Sequence, residues 1–101
     1  MVLQVAEGLH EQSADEELIY KITTTNWGIT PTSPSVKVYD EDPFVDVTST
    51  TMPVNSPSVS GDVITLSPLK LLTKNHTYRI EIKFTAGGNV WECYLRVSCV
   101  I

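Results

Sequence analysis

Two alternating segments joined by Gly87-Gly88 constrain the fold of this chain more than any other feature. A period of two is that of a β-strand with one buried face. Two adjacent glycines between such strands favour a two-residue primed turn, because both residues then take positive φ. Counting outward from this turn predicts that Phe84 faces Trp91 and that Tyr78 faces Val97. The apolar positions of the two segments are Tyr78, Ile80, Ile82 and Phe84, then Trp91, Cys93, Leu95, Val97 and Cys99.

The opposite face of this predicted hairpin is charged. The same register places Lys83 opposite Glu92 and Arg79 opposite Arg96. Glu81 lies on a diagonal to Arg96, where it would offset the repulsion between the two arginines. We interpret this face as ordinary ion-paired surface, so a binding site is expected elsewhere, at a sheet edge or in a loop.

The two cysteines fall on the buried face of the second segment. Cys93 and Cys99 are six positions apart, which is about 20 Å along an extended strand. A disulfide requires Cα atoms within about 7 Å. The pattern therefore predicts two buried thiols and synthesis in a reducing compartment, and it leaves open a bridge between two chains through Cys99.

The rest of the chain predicts short strands separated by turns, which is typical of an all-β sandwich. Residues 1–15 show no dominant period and are read as either an edge strand or a loose arm. Residues 48–60, rich in Ser, Thr and Pro, predict a long loop. Leu69, Leu71 and Leu72 are expected to form a buried corner. Further strands are predicted at Leu18–Thr23, Ser35–Tyr39, Phe44–Thr48 and Val63–Leu66.

Length and charge exclude several classes of protein. A chain of 101 residues fits one domain, residues 1–101. Its seven basic and twelve acidic residues give a net charge of −5, and the scattered basic residues show no footprint for nucleic acid. No apolar run is long enough to cross a membrane, and the start lacks the basic region of a secretion signal. We expect synthesis in the cytoplasm without a signal peptide.

Two resemblances make the expected fold and function more specific. The segment Leu72–Tyr78 resembles the corner of fibronectin type III and immunoglobulin-like domains, in which a Tyr follows a Leu by six residues and opens the penultimate strand. The resemblance implies an immunoglobulin-like antiparallel β-sandwich of about seven strands, with the Tyr78 hydroxyl bonded to upstream backbone.

The second resemblance is to small proteins of tailed-phage and prophage structural modules. It is carried by Glu17–Ile22, by Thr77–Ile80, and by the Gly87-Gly88 turn leading to Tyr94–Cys99. It implies an accessory domain that attaches to other virion or scaffold proteins or to itself and is incorporated into the particle. It also implies that the domain has no cofactor and no catalytic activity.

Trp27 and Phe44 are the candidate partner-binding residues. Both lie in or beside predicted loops, where an aromatic side chain either plugs the end of a sandwich core or forms a recognition patch. An aromatic patch of this kind also suits a carbohydrate-binding or adhesion module, which is the alternative function.

No catalytic or metal site is predicted. Asp40, Glu41, Asp42 and Asp46 lack the spacing of a calcium loop. His10 and His76 stand outside any zinc-binding spacing, and no nucleophile elbow or phosphate-binding loop occurs. A cleft that contained Asp40, Asp42 and His76 together would indicate an enzyme instead.

Overall fold

The computed structural model describes residues 2–25, 30–41 and 43–100, the first seven of them by their backbone alone. Within these ranges the chain forms eight β-strands and one short helix, α1 (Thr48–Thr51). The strands are β1 (Val2–Gln12), β2 (Lys21–Thr23), β3 (Thr32–Glu41), β4 (Phe44–Asp46), β5 (Ser58–Ser60), β6 (Val63–Thr65), β7 (Thr77–Ala86) and β8 (Asn89–Cys99).

The strands form two sheets, which confirms the all-β class and gives a sandwich-like arrangement. One sheet has five strands in the order β1-β8-β7-β3-β4, and the other has three in the order β2-β6-β5. The expectation of a wholly antiparallel sandwich is wrong at one edge, because β1 pairs with β8 in parallel. The aperiodic segment 1–15 carried no signal from which this partner could be read.

The hairpin β7–β8 has the predicted register. Phe84 pairs with Trp91, and Tyr78 pairs with Val97. Gly87 and Gly88 occupy the turn with φ of 60° and 79°, so the predicted two-residue turn with positive φ at both glycines is confirmed.

The apolar face of this hairpin belongs to one core that both sheets share. Cys93 and Cys99 are both buried thiols within it, as predicted, and Trp91 packs against it while partly buried. Further members are Ile22 and Ile64 from the three-stranded sheet, with Val36, Val38, Tyr78, Ile80, Ile82, Phe84, Leu95 and Val97 from the five-stranded sheet.

The segment predicted as a long loop, residues 48–60, contains α1 and β5. β5 pairs with β6 across a two-residue turn at Gly61-Asp62, where Gly61 has φ of 60°. The prediction of a loop was wrong, because β5 has only three residues and lies in a segment rich in Ser, Thr and Pro that shows no apolar alternation. The first predicted strand, Leu18–Thr23, is likewise shorter in the structure, with only an isolated bridge between Leu18 and Leu69 before β2.

The corner before β7 is held by Tyr78. Its buried hydroxyl accepts a hydrogen bond from the Thr73 N–H at 2.6 Å, which confirms the contact that the resemblance implied. Leu69 and Leu72 are buried as expected. Leu71 is instead exposed, and its backbone has φ of 57°.

A buried glutamine joins β1 to the opposite side of the core. Gln12 Nε2 donates hydrogen bonds to the Leu69 carbonyl at 2.7 Å and the Glu16 carbonyl at 3.0 Å. Its Oε1 accepts one from the Tyr20 hydroxyl at 2.8 Å. The side-chain amide therefore has partners for both its nitrogen and its oxygen, which is the condition for burying a polar group at low cost.

Candidate functional site

The structure places only one of the two predicted partner-binding residues. Trp27 lies outside the described residues. Phe44 is the first residue of β4, at an edge of the five-stranded sheet, and is 58% exposed. It therefore does not plug the core. Its pairing with Glu41 puts it on the outer face of the sheet, the face turned away from the core.

Phe44 is part of a cluster of aromatic rings around one arginine. Its ring stacks on Tyr39 with centroids 4.8 Å apart and planes 14° from parallel. The Arg79 guanidinium lies 4.3 Å from the centroid of Tyr94 and 5.7 Å from that of Phe44. Distances below about 6 Å allow cation–π attraction. We call Tyr39, Phe44, Arg79 and Tyr94 the Arg79 cluster.

Two carboxylates from different strands border this cluster. Arg96 Nη2 donates to Glu41 Oε1 at 2.9 Å, and Glu41 Oε2 lies 3.4 Å from Arg79 Nε. Glu81 Oε2 lies 3.6 Å from Arg79 Nη1. The carboxylate between the two arginines is thus Glu41 rather than Glu81. The sequence missed it because Glu41 arrives from β3, which a register counted on the hairpin does not include.

The two arginines differ in how they are held. The hydrogen bond to Glu41 raises the pKa of Arg96 above its usual value. Arg79 Nε and Glu41 Oε2, in contrast, are buried atoms without a hydrogen-bond partner, since their contact lacks hydrogen-bond geometry. Aromatic rings and longer ion pairs position Arg79, and its terminal nitrogens belong to a side chain that is 31% exposed.

A shallow groove of about 350 Å³ adjoins the Arg79 cluster. Lys37 and Lys83, which line it, are both exposed, whereas Glu81 and Glu92 are only partly so. The full lining is Ser35, Lys37, Tyr39, Glu81, Ile82, Lys83 and Glu92.

The acidic residues considered for calcium take separate structural roles. Asp40 is buried, and its Oδ2 lies 2.7 Å from His76 Nδ1. Asp46 Oδ1 accepts hydrogen bonds from the Thr48 N–H and hydroxyl, which lower the pKa of Asp46. Asp42 lies outside the described residues. In the described part of the chain, no three His, Cys, Asp or Glu side chains converge as a metal site would require.

A cleft containing Asp40, Asp42 and His76 was the arrangement that would have indicated an enzyme, and two of these residues, Asp40 and His76, are in contact. Their contact lies beside Tyr78, at the corner where His76 also accepts a backbone hydrogen bond from Cys99 at 2.9 Å. His10 contacts a different residue, with its ring edge-on to Tyr20 at 5.4 Å. The pair thus joins β3 to the corner before β7.

The hairpin sequence contained one usable signal for the Arg79 cluster. The predicted register already placed Tyr94 opposite Glu81 and therefore diagonal to Arg79. The contribution of Tyr39 and Phe44 had no such signal, because it depends on β3 lying beside β7.

A scan against protein-family models found no match for the chain, and neither did a search of curated proteins. Within the described ranges, no helix has the length and apolar character needed to cross a bilayer.

Proposed function

We propose that the chain is a non-enzymatic immunoglobulin-like domain that binds other proteins, and that it serves as an assembly or accessory component of a tailed-phage or prophage particle. The observation that carries the binding role is the Arg79 cluster on the outer face of the five-stranded sheet. Tyrosine and arginine are the side chains enriched among the residues that dominate protein–protein binding energy.

The strand order supports the immunoglobulin-like part of the proposal. The series β8-β7-β3-β4 follows the order of strands G, F, C and C′ in variable-type immunoglobulin domains, and β2-β6-β5 follows B, E and D. The bond from Thr73 to the Tyr78 hydroxyl stands at the position of the tyrosine corner in those domains.

The placement in a phage particle rests on the sequence resemblance described above. A rigid sheet that presents aromatic and charged side chains suits attachment to another virion or scaffold protein. Such a component would be made in the cytoplasm and then incorporated during assembly.

Site-specific crosslinking during particle assembly tests this proposal. Full-length protein with p-benzoylphenylalanine in place of Phe44 would be produced in the host during particle formation. A matched control carries the crosslinker in place of Val54, which is 62% exposed and lies between α1 and β5. We expect crosslinks to a particle protein from position 44 and none from position 54. Absence of the protein from every particle fraction would refute the assembly role.

Carbohydrate binding is the second candidate, favoured by the exposed ring of Phe44 stacked on Tyr39. Aromatic faces at a protein surface are suited to packing against sugar rings. Titration of isotope-labelled protein with a panel of oligosaccharides would shift the Phe44 and Tyr39 resonances if this function is correct, and Phe44→Ala would abolish the shifts. An unresponsive spectrum across the panel would remove this candidate.

A further inference from the structure

We propose that the outer face of the five-stranded sheet binds an acidic segment of a partner polypeptide, whose carboxylates pair with Arg79 and with Lys37 and Lys83 across the groove. This inference rests on the proposed function, because it names the chemistry of the partner for that same surface.

The first argument is the unused bonding capacity of Arg79. Its carboxylate contacts, at 3.4 and 3.6 Å, are longer than the roughly 2.7–2.9 Å of a charge-assisted hydrogen bond. Tyr94 and Phe44 hold the guanidinium in place, so little side-chain entropy remains to be lost when a ligand binds. The fork of terminal nitrogens matches a carboxylate in two-point geometry.

The second argument is that the basic side chains beside the groove are more exposed than the acidic ones. Lys37 and Lys83 are exposed, whereas the side chains of Glu41 and Glu81 are 17% and 25% exposed and Glu92 is half-buried. The fourth carboxylate of this face, Asp46, is exposed, but it lies outside the groove lining and accepts two hydrogen bonds from Thr48. A segment approaching the groove therefore meets the two ammonium groups before the carboxylates that border it. The two lysines flank the groove of about 350 Å³ beside Arg79, so an extended segment lying in the groove could reach all three cations.

The third argument is the distribution of charge over the whole chain. Four of the seven basic residues lie on the outer side of β3, β4, β7 and β8, together with four of the twelve acidic residues. The rest of the chain keeps three basic and eight acidic residues. An acidic partner is thus repelled least on this face. The four carboxylates on the same face disfavour a nucleic-acid backbone, which needs continuous positive potential.

Titration of isotope-labelled full-length protein with a short peptide of alternating Glu and Gly tests the proposal. We expect saturable shifts of the backbone signals of Lys37, Glu81 and Lys83 and of the Arg79 Nε–H signal. The matching Lys-Gly peptide and a single-stranded oligonucleotide serve as comparison ligands. Tighter binding of either, or shifts confined to other surfaces, would overturn the proposal.

Variants assign the binding to the named residues. Arg79→Gln and the double variant Lys37→Gln/Lys83→Gln should each weaken binding of the Glu-Gly peptide at least fivefold. Lys74→Gln, which removes an exposed charge at the corner before β7, should change it less than twofold. Circular dichroism confirms folding of each variant, and the double variant remains informative if Arg79→Gln unfolds.

Equal affinity in all variants would refute the proposal. So would dimerisation of the chain alone through the Arg79 cluster, because a second copy would then occupy the face. Neither result affects the outcome of the crosslinking experiment, so failure of this inference can be distinguished from failure of the proposed assembly role.

Discussion

On the inner face of the five-stranded sheet, β7 and β8 carry apolar side chains that are almost all buried, whereas on the outer face the same strands carry charges and a tyrosine held by specific pairs. Inner-face contacts are numerous and non-directional, and their contribution to stability grows with the apolar area removed from water. Outer-face contacts are few and depend on geometry. Stability therefore depends mainly on the inner face, whereas the proposed recognition uses the outer face of the same strands. Substitutions on one side should leave the other property nearly unchanged.

The largest effect is expected from Ile80→Ala on the inner face. Ile80 is fully buried, and its truncation should lower the free energy of unfolding by about 3 kcal/mol through lost burial and a residual cavity. Lys83→Ala, on the outer face of the same strand, should change it by less than about 0.5 kcal/mol. Urea unfolding of both variants measures the difference. Equal losses would contradict the division between the two faces.

Gln12 is a polar residue buried on the inner side, and its substitution should lower the free energy of unfolding as a core substitution does. Gln12→Leu removes the acceptor of the Tyr20 hydroxyl and one of two donors to the Leu69 carbonyl, which keeps the Leu18 N–H at 3.1 Å. We expect a loss of about 2 kcal/mol. Glu11→Gln, the exposed neighbour on β1, is the control. Thermal unfolding of Gln12→Leu within error of the native chain would show that these groups find other partners.

Two tyrosines on opposite faces allow a closely matched test. Tyr78→Phe deletes the hydroxyl that accepts from Thr73 and should cost about 1 kcal/mol. Tyr39→Phe, on the outer face, should be neutral, because its ring contact with Phe44 does not use the hydroxyl. Chemical unfolding compares them, and an equal cost for both would argue against a special role of the corner.

The smallest effect is expected at high pH. Burial, and to a lesser extent the charge of Glu16, raise the pKa of Tyr20 from its ordinary value of about 10 to about 12. The folded state then keeps a proton that the unfolded state releases, so stability falls as pH rises from about 10 to about 12. Because Tyr20 is only partly buried, the loss should stay below about 1 kcal/mol.

The measurement is the slope of unfolding free energy against pH in that interval, compared between the native chain and Tyr20→Phe. The variant should show the shallower slope. Identical slopes would mean that Tyr20 titrates equally in the folded and unfolded states.

The sequence predicted the parts of the fold whose signals are local. The register of β7 and β8 follows from a period of two and a pair of glycines, and both buried thiols follow from that register. β2 lies within the predicted strand Leu18–Thr23, whereas β5 has three residues without apolar alternation and was missed. Gln12 gave no local sign that it would be buried, because its partners Tyr20 and Leu69 come from elsewhere in the chain.

In the candidate site, too, local features could be predicted and long-range contacts could not. Phe44 was predicted as a candidate at the start of a strand beside a loop, and it is exposed, but no pattern placed it near the charged face. Its place beside Arg79 depends on β3 pairing with both β4 and β7, which is a long-range arrangement. No local pattern therefore predicted that Tyr39 and Phe44 lie beside the charged face.

The parallel pairing of β1 with β8 has a consequence for how the chain acquires its structure. β1, the first strand of the described fold, lies beside β8, its last strand. β1 therefore cannot pair until β8 is in place, and closing so long a loop carries an entropic cost that slows folding. During that interval the outer edge of β8 stays open, and an extended segment of another molecule has its best opportunity to take the place of β1.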